Sequence, residues 1–228
     1  MMTATSDVDF DSDIRMHGKL TASPTDFHGS LCSRRSQDVD LSIVDLQPHI
    51  AHVSSAKSIV LIGFMGTGKS SVGRILEKQT GFHRFDTDEM VSAKLNMSIQ
   101  EIFSKHGEET FRAAETEALQ SLTGKESAII VTGGGVVTKA KNVDLLKRLG
   151  TVVWLDADHA TLRARMDQLK DRPLLQTANP VAALSELLHA RNPLYRNTAD
   201  IRVDISQKEP EEIAELILRN IRNFPIGE

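Results

Sequence analysis

The chain has 228 residues, of which 40% are hydrophobic and 25% charged, with a formal net charge of -4; this is the balance of an ordinary globular protein with room for one α/β domain. No apolar run approaches the ~20 residues of a membrane span, and a single cysteine, Cys32, excludes an internal disulfide framework and suits a reducing cytoplasm. The charge is uneven: residues 1–56 hold eight Asp, no Glu and four Lys/Arg, whereas 57–228 hold 23 acidic and 23 basic residues, so bulk charge makes no case for nucleic acid.

Residues 1–56 lack helical or strand periodicity and carry spaced aspartates, which predicts a disordered N-terminal extension. They have neither the basic start and apolar core of a secretory signal nor the acid-poor character of an organelle transit peptide. Asp40–Val53 is more apolar and can form a short docking helix or strand. Asp7, Asp9, Asp11 and Asp13 alternate, but without the Gly and terminal Glu of a calcium loop.

From Lys57 the chain becomes regular. "SIVLIG" (58–63) predicts a buried strand, and residues 69–80 a helix that stops before Gly81. "HRF" (83–85) is a short strand. Ser98 with Glu101 three positions later is a capping box, opening a helix that runs to about Leu122 with an interruption near Gly107. "SAIIVTGGG" is a strand ending in three glycines. "KNVDLLKRLG" is a helix closed by Gly150, and "TVVWLDA" the next strand. "HATLRARMDQL" is helical and "KDRPLLQTANP" irregular. Pro180 opens a helix towards Ala190, "DIRVDI" is the last strand, and Pro210 begins a closing amphipathic helix. Strands alternating with helices predict an α/β fold with a parallel sheet and helices on both faces.

"GFMGTGKSSVGR" fits G-x-x-x-x-G-K-[ST], with Gly63, Gly68, Lys69 and Ser70 in register between a strand and a helix. Glycines let backbone N–H groups turn towards phosphate oxygens, and the helix N-terminus adds partial positive charge. Lys69 reaches the terminal phosphates and Ser70 offers a hydroxyl to Mg²⁺. That grip alone does not name an acceptor.

Five further segments bear on it. "FDTDEM" places Asp86 and Asp88 one residue apart at a strand end, where one carboxylate can serve the metal and the other can deprotonate an alcohol. Arg112 and Glu115 share a helix face, and an arginine fork suits a carboxylate. Gly133, Gly134 and Gly135 leave backbone exposed at the carboxyl end of a strand, where ligands of open α/β sheets bind. "DRPLL" puts Arg172 on an irregular loop able to close over a nucleotide, and "RNPLYR" supplies Arg191. Taken singly, these segments also fit a solvated acidic turn, a surface ion pair or a flexible loop.

Together, in order and spacing, "GFMGTGKSSVGR", "FDTDEM", "SIQEIFSKHGEETFRAAETEAL", "VTGGGVV", "DRPLL" and "RNPLYR" closely resemble the shikimate kinase family, over roughly Ser58 to Phe224. The resemblance implies transfer of the ATP γ-phosphate to the 3-hydroxyl of shikimate, towards chorismate and the aromatic amino acids. It also implies a nucleoside monophosphate kinase-like fold: a five-stranded parallel sheet in three layers, with a substrate-binding part about 87–122 and a lid about 168–180. By that resemblance Gly66, Thr67, Gly68, Lys69, Ser70 and Ser71 wrap the ATP phosphates, and Ser70 and Asp86 serve one Mg²⁺. Asp88 meets the shikimate hydroxyls as base. Arg112, Gly134 and Arg191 hold the substrate, flanked by Gly133, Gly135 and Glu115. Arg172 is the lid arginine and acts with Asp88 and Lys69 in catalysis. Arg165 falls where the family often has a basic residue near adenine, and Lys208 is the nearest match to an arginine of the adenine loop.

A cytoplasmic monomer that binds ATP and shikimate, but neither nucleic acid nor membrane, is the expectation. Trp154 and Tyr195 are expected to be packing residues. Two alternatives stay open on sequence: a kinase for another small polyol such as gluconate, and a kinase-like protein that binds without transferring.

Overall fold

Val, Ile and Leu run without alternation through β1 (Ser58–Ile62), β3 (Ala128–Val131) and the middle of β4 (Gly150–Asp156), as strands buried on both faces of a parallel sheet require. In the computed structural model, which describes residues 58–165 and 173–223, these three form the centre of a five-stranded parallel sheet. β2 (His83–Asp86) and β5 (Ile201–Asp204) are the edges, in the order β2-β3-β1-β4-β5. The expectations for residues 1–56, for the part of the lid at 168–172 and for Arg172 lie outside the described residues. The register sets Leu61 opposite Val131, and Val131 opposite Asp86.

The connection from β1 to β2 and that from β3 to β4 travel in opposite directions along the sheet. Both crossovers being right-handed, α1 (Lys69–Thr80) and α4 (Ala140–Leu149) cover opposite faces. α7 (Pro210–Asn223) packs on α1, while α4 also meets the long helix α3 (Ile99–Ser121). A short helix, α5 (His159–Ala164), follows β4. The main core is made of the central strands with Leu76, Leu119, Leu146, Leu184, Tyr195 and Ile217. A smaller cluster of Val91, Ile102, Phe111, Ala114 and Ala118 joins α3 to α2 (Thr87–Leu95). No helix among the described residues is long and apolar enough to cross a membrane.

Most local signals act as expected. Gly81 ends α1 in the left-handed conformation, its N–H donating to Glu77 O. At the start of α3 the Ser98 hydroxyl accepts from Glu101 N at 3.2 Å, while the Glu101 carboxylate accepts from Ser98 N at 3.0 Å. The bond from Ser98 N, with the Lys105 ammonium beside it, holds the Glu101 carboxyl down at about 2. Gly107 breaks the α3 geometry at φ 79°.

Three features differ from expectation. α2 was not read as a helix: its nine residues carry no apolar stripe, and its cap is the Asp86 carboxylate, which accepts from Asp88 N at 3.1 Å. Helix α6 (Pro180–Thr198) runs eight residues past Ala190 and through Pro193. Its buried positions Leu184, Leu188, Arg191, Tyr195 and Thr198 fall on one stripe at spacings of four and three, so tertiary burial outweighs the lost N–H of Pro193. Gly150 closes α4 as expected, but with an extended φ of 165° and as the first residue of β4, one position earlier than expected, opposite Ser58.

The requirement at Gly150 is space. A Cβ there would lie 1.9 Å from Ser58 O, and backbone cannot swing aside as a side chain can. Gly150→Ala is therefore expected to destabilise the protein by about 1–3 kcal/mol through overpacking, read as a lower denaturant midpoint at an unchanged slope.

Candidate active site

β1 delivers the phosphate loop. Between Ile62 and Lys69 the chain turns through Gly66 (φ 82°) and Gly68 (φ 83°), left-handed positions that only glycine takes at no steric cost. Thr67 braces the turn, its buried hydroxyl donating to Phe64 O at 2.9 Å. The buried Lys69 ammonium donates to Gly63 O at 2.9 Å and Phe64 O at 2.8 Å. Gly66 to Ser71 thus span the loop and the first turn of α1, whose leading N–H groups have no carbonyl within the helix to bond. Arg165, at the end of α5, reaches this loop and donates through Nη1 to Gly66 O at 2.9 Å.

β2 delivers the acids. Asp86 is buried, and its Oδ2 accepts from the Ser70 hydroxyl at 3.0 Å. The Arg84 guanidinium stands 3.5 Å from the same oxygen. Asp88, in the first turn of α2, points to the next loop: a Cβ on Gly133 would lie 2.8 Å from Asp88 Oδ1 and 2.6 Å from Glu115 Oε1.

α3 supplies Arg112 and Glu115, buried at 6% and 0% exposure. Arg112 donates from Nη1 to Glu115 at 3.0 Å, and from Nε and Nη2 to Glu108 at 3.2 and 3.0 Å. Burial pushes the Glu115 carboxyl up, and the adjacent Arg112 draws it back down. Burial alone would weaken the Arg112 charge, but the two carboxylates hold it firmly in place.

β3 supplies the glycines, which are packed from three sides. Gly133 N donates to the Thr87 hydroxyl at 3.3 Å. The Cα of Gly134 abuts the phosphate loop, a Cβ there standing 3.0 Å from Met65 N. Gly135 lies under Arg112, where a Cβ would fall 2.1 Å from Nη2. From α6, Arg191 donates through Nη1 to Gly134 O at 3.3 Å and lies over the Phe64 ring at 5.9 Å.

One cavity joins these parts. Asp88, Arg112, Gly133, Gly134, Gly135 and Arg191 line it, with Met65, Ile99, Phe103, Phe111, Pro173 and Leu174 as apolar walls. The sequence points to every polar member but not to the walls, nor to the parts played by Glu108, Thr87 and Tyr195, the last of them expected only to pack. Glu108 was legible as an i,i+4 partner of Arg112; the other two act across the chain and left no local signal. Lys208 turns onto its own loop, its ammonium donating to Ser206 O at 3.4 Å.

A phosphate loop beside a pocket that is too small for a macromolecule and carries one acid and two arginines defines a small-molecule phosphotransferase. A family model described as "Shikimate kinase" matches residues 65–222. A shikimate kinase of Thermodesulfovibrio yellowstonii is 44% identical over 171 residues, covering 75% of this chain and 98% of that protein. One of Caldanaerobacter subterraneus is 42% identical over 163 residues, covering 72% and 95%. Among solved structures, shikimate kinase from Acinetobacter baumannii in complex with shikimate superimposes with a TM-score of 0.72 at 37% identity, over 76% of this chain and 97% of that one. The Aquifex aeolicus shikimate kinase gives 0.66 at 36% identity, over 75% and 99%. The chain belongs to the shikimate kinase family and is a kinase.

The contact between Gly135 and Arg112 is open to test. Gly135→Ala must displace the guanidinium, so kcat/KM for the acceptor is expected to fall about 10–100-fold, the cost of misplacing a positioning group by about 1 Å. ATP binding, measured separately by titration, should stay unchanged.

Proposed function

We propose that the protein transfers the γ-phosphoryl group of ATP to the 3-hydroxyl of shikimate, and that the residues above divide the work. The observation that carries this reading is the convergence of Asp88, Arg112, Arg191 and bare glycine backbone on one cavity beside the phosphate loop. Shikimate is a small ring bearing a carboxylate and hydroxyls. Two guanidinium groups match the carboxylate, Asp88 the reacting hydroxyl, and the apolar walls the ring.

In this reading Gly66 to Ser71 hold the triphosphate through backbone N–H groups, and Lys69 exchanges its loop carbonyls for phosphate oxygens. Asp88 orients the 3-hydroxyl in line with the γ-phosphate and accepts its proton as the new P–O bond forms and the bond to ADP breaks. Arg112 and Arg191 fix the ring from the carboxylate side, which converts the encounter into an oriented one. We assign α2 and α3, within residues 87–122, as the acceptor-binding part.

The donor set also fits Mg²⁺. The Ser70 hydroxyl and Asp86 carboxylate stand together, 3.0 Å apart, at the start of α1. Mg²⁺ takes one or two such oxygens and fills the remaining positions with phosphate and water. When bound there it would neutralise charge on the phosphates. No group of three or more His, Cys, Asp or Glu able to hold a metal occurs among the described residues, and this mode of binding needs none. We assign Arg165 to the nucleotide side, supported by its bond to Gly66 O.

The test is ADP release coupled to a panel of acceptors. Shikimate should stimulate turnover far above the rate without acceptor, and gluconate should not; equal rates with and without shikimate would remove the reading. Asp88→Asn is expected to lower kcat by about 10²–10⁴-fold, the usual worth of a positioned base, with ATP affinity altered little.

A further inference from the structure

Tyr195 is wholly buried and lies one helical turn after Arg191 on α6. Its ring stacks on Trp154 of β4, with centroids 5.9 Å apart and planes at 26°. To that extent it is the packing residue the sequence suggested. Its hydroxyl, however, donates to Gly134 O, the same carbonyl that accepts from Arg191 Nη1. Two side chains at i and i+4 thus converge on one oxygen in the middle of the glycine loop.

Any buried phenol seeks a partner, so the bond by itself says little. Its location says more. Gly134 sits between two other glycines in the wall of the acceptor cavity, where no side chain of the loop can lock the backbone. The flanking glycines have restraints of their own, in the Thr87 hydroxyl that accepts from Gly133 N, the Thr138 hydroxyl that donates to Gly135 O and the Arg112 guanidinium over Gly135, while Gly134 itself is met by the Met65 amide. No peptide here is cis, and across a trans peptide the carbonyl and the following N–H point in opposite directions. Holding Gly134 O towards α6 therefore turns the Gly135 N–H away from α6.

We propose that Tyr195 is a positioning residue for the acceptor: by bonding the Gly134 carbonyl it fixes the glycine loop and leaves Arg191 available to the acceptor carboxylate. The inference rests on reading this cavity as the shikimate site. With the phenol present, Gly134 O is shared between two donors. Without it, Arg191 is that oxygen's one remaining side-chain donor, and the guanidinium is drawn back onto the backbone. Burial pushes the Tyr195 phenol well above its usual value, so it stays a donor throughout the working pH range.

Tyr195→Phe keeps the ring and its stack on Trp154 and deletes only the hydroxyl. Its KM for shikimate should rise about three- to tenfold, the worth of one neutral hydrogen bond, with KM for ATP unchanged. Trp154→Phe is the packing control: it should lower the thermal midpoint while leaving KM for shikimate at the wild-type value. A Tyr195→Phe enzyme whose KM for shikimate stays within about twofold of wild type, or whose two KM values rise together, overturns the inference. A wild-type protein that leaves shikimate unphosphorylated overturns the proposed function and this inference with it. An active wild type with an indifferent Tyr195→Phe overturns this inference alone.

Discussion

Three parallel strands that end at one level determine the rest of the site. Leu61 of β1 and Asp86 of β2 are both paired with Val131 of β3. The next few residues of each strand are the phosphate loop, the Thr87–Asp88 step and the three glycines. Nothing in those segments would bring them together on its own, because they lie 20 to 70 residues apart in the chain. The strands are buried runs of Val, Ile and Leu, and a one-residue slip would turn every side chain to the opposite face. Core packing thus sets the chemistry's geometry, and the approach of Gly134 to Met65 N is close enough that a Cβ would stand 3.0 Å from that nitrogen.

The electrostatics of the acceptor pocket follow from where Arg112 sits. A guanidinium at 6% exposure needs compensation, and Glu115 at 0% and Glu108 supply it. Such a pair adds little net stability, since desolvation offsets the attraction, whereas removing one partner costs far more. Three of the five N–H groups of Arg112 are engaged by the two glutamates. In the proposed reading the others serve the acceptor carboxylate, and the two glutamates hold the fork in place beforehand. Pre-ordering of that kind is what small polar acceptors need, because they offer too little apolar surface to drive binding.

The parts legible in the sequence were those encoded locally. A strand, a glycine-rich turn and a helix in succession are written in one continuous stretch, Ser58 to Thr80, and the Ser98–Glu101 capping box is more local still. The Arg112–Glu115 pair was visible because positions three apart share a helix face. Long-range partnerships were legible only through the family resemblance, and not all of them. Arg191 and Tyr195 meet Gly134 across 57 and 61 positions; the sequence presents only an arginine and a tyrosine one turn apart. α2 escaped notice because its cap, Asp86, reads first as half of an acidic pair. In fact the one carboxylate caps α2 through Oδ1 and meets Ser70 through Oδ2. α6 was cut short at Ala190 because Pro193 is a local breaker, while the buried stripe that overrides it appears only once the sheet is in place.

Phosphate grip and acceptor pocket share residues as well as a border. Phe64 holds Lys69 through its carbonyl and carries Arg191 over its ring. Met65 lines the proposed acceptor cavity and backs Gly134 with its amide. A change in loop sequence at either residue therefore acts on both sides at once. In the proposed reading, two of the variable positions between Gly63 and Gly68 therefore belong to the acceptor's surroundings as well as to the phosphate loop.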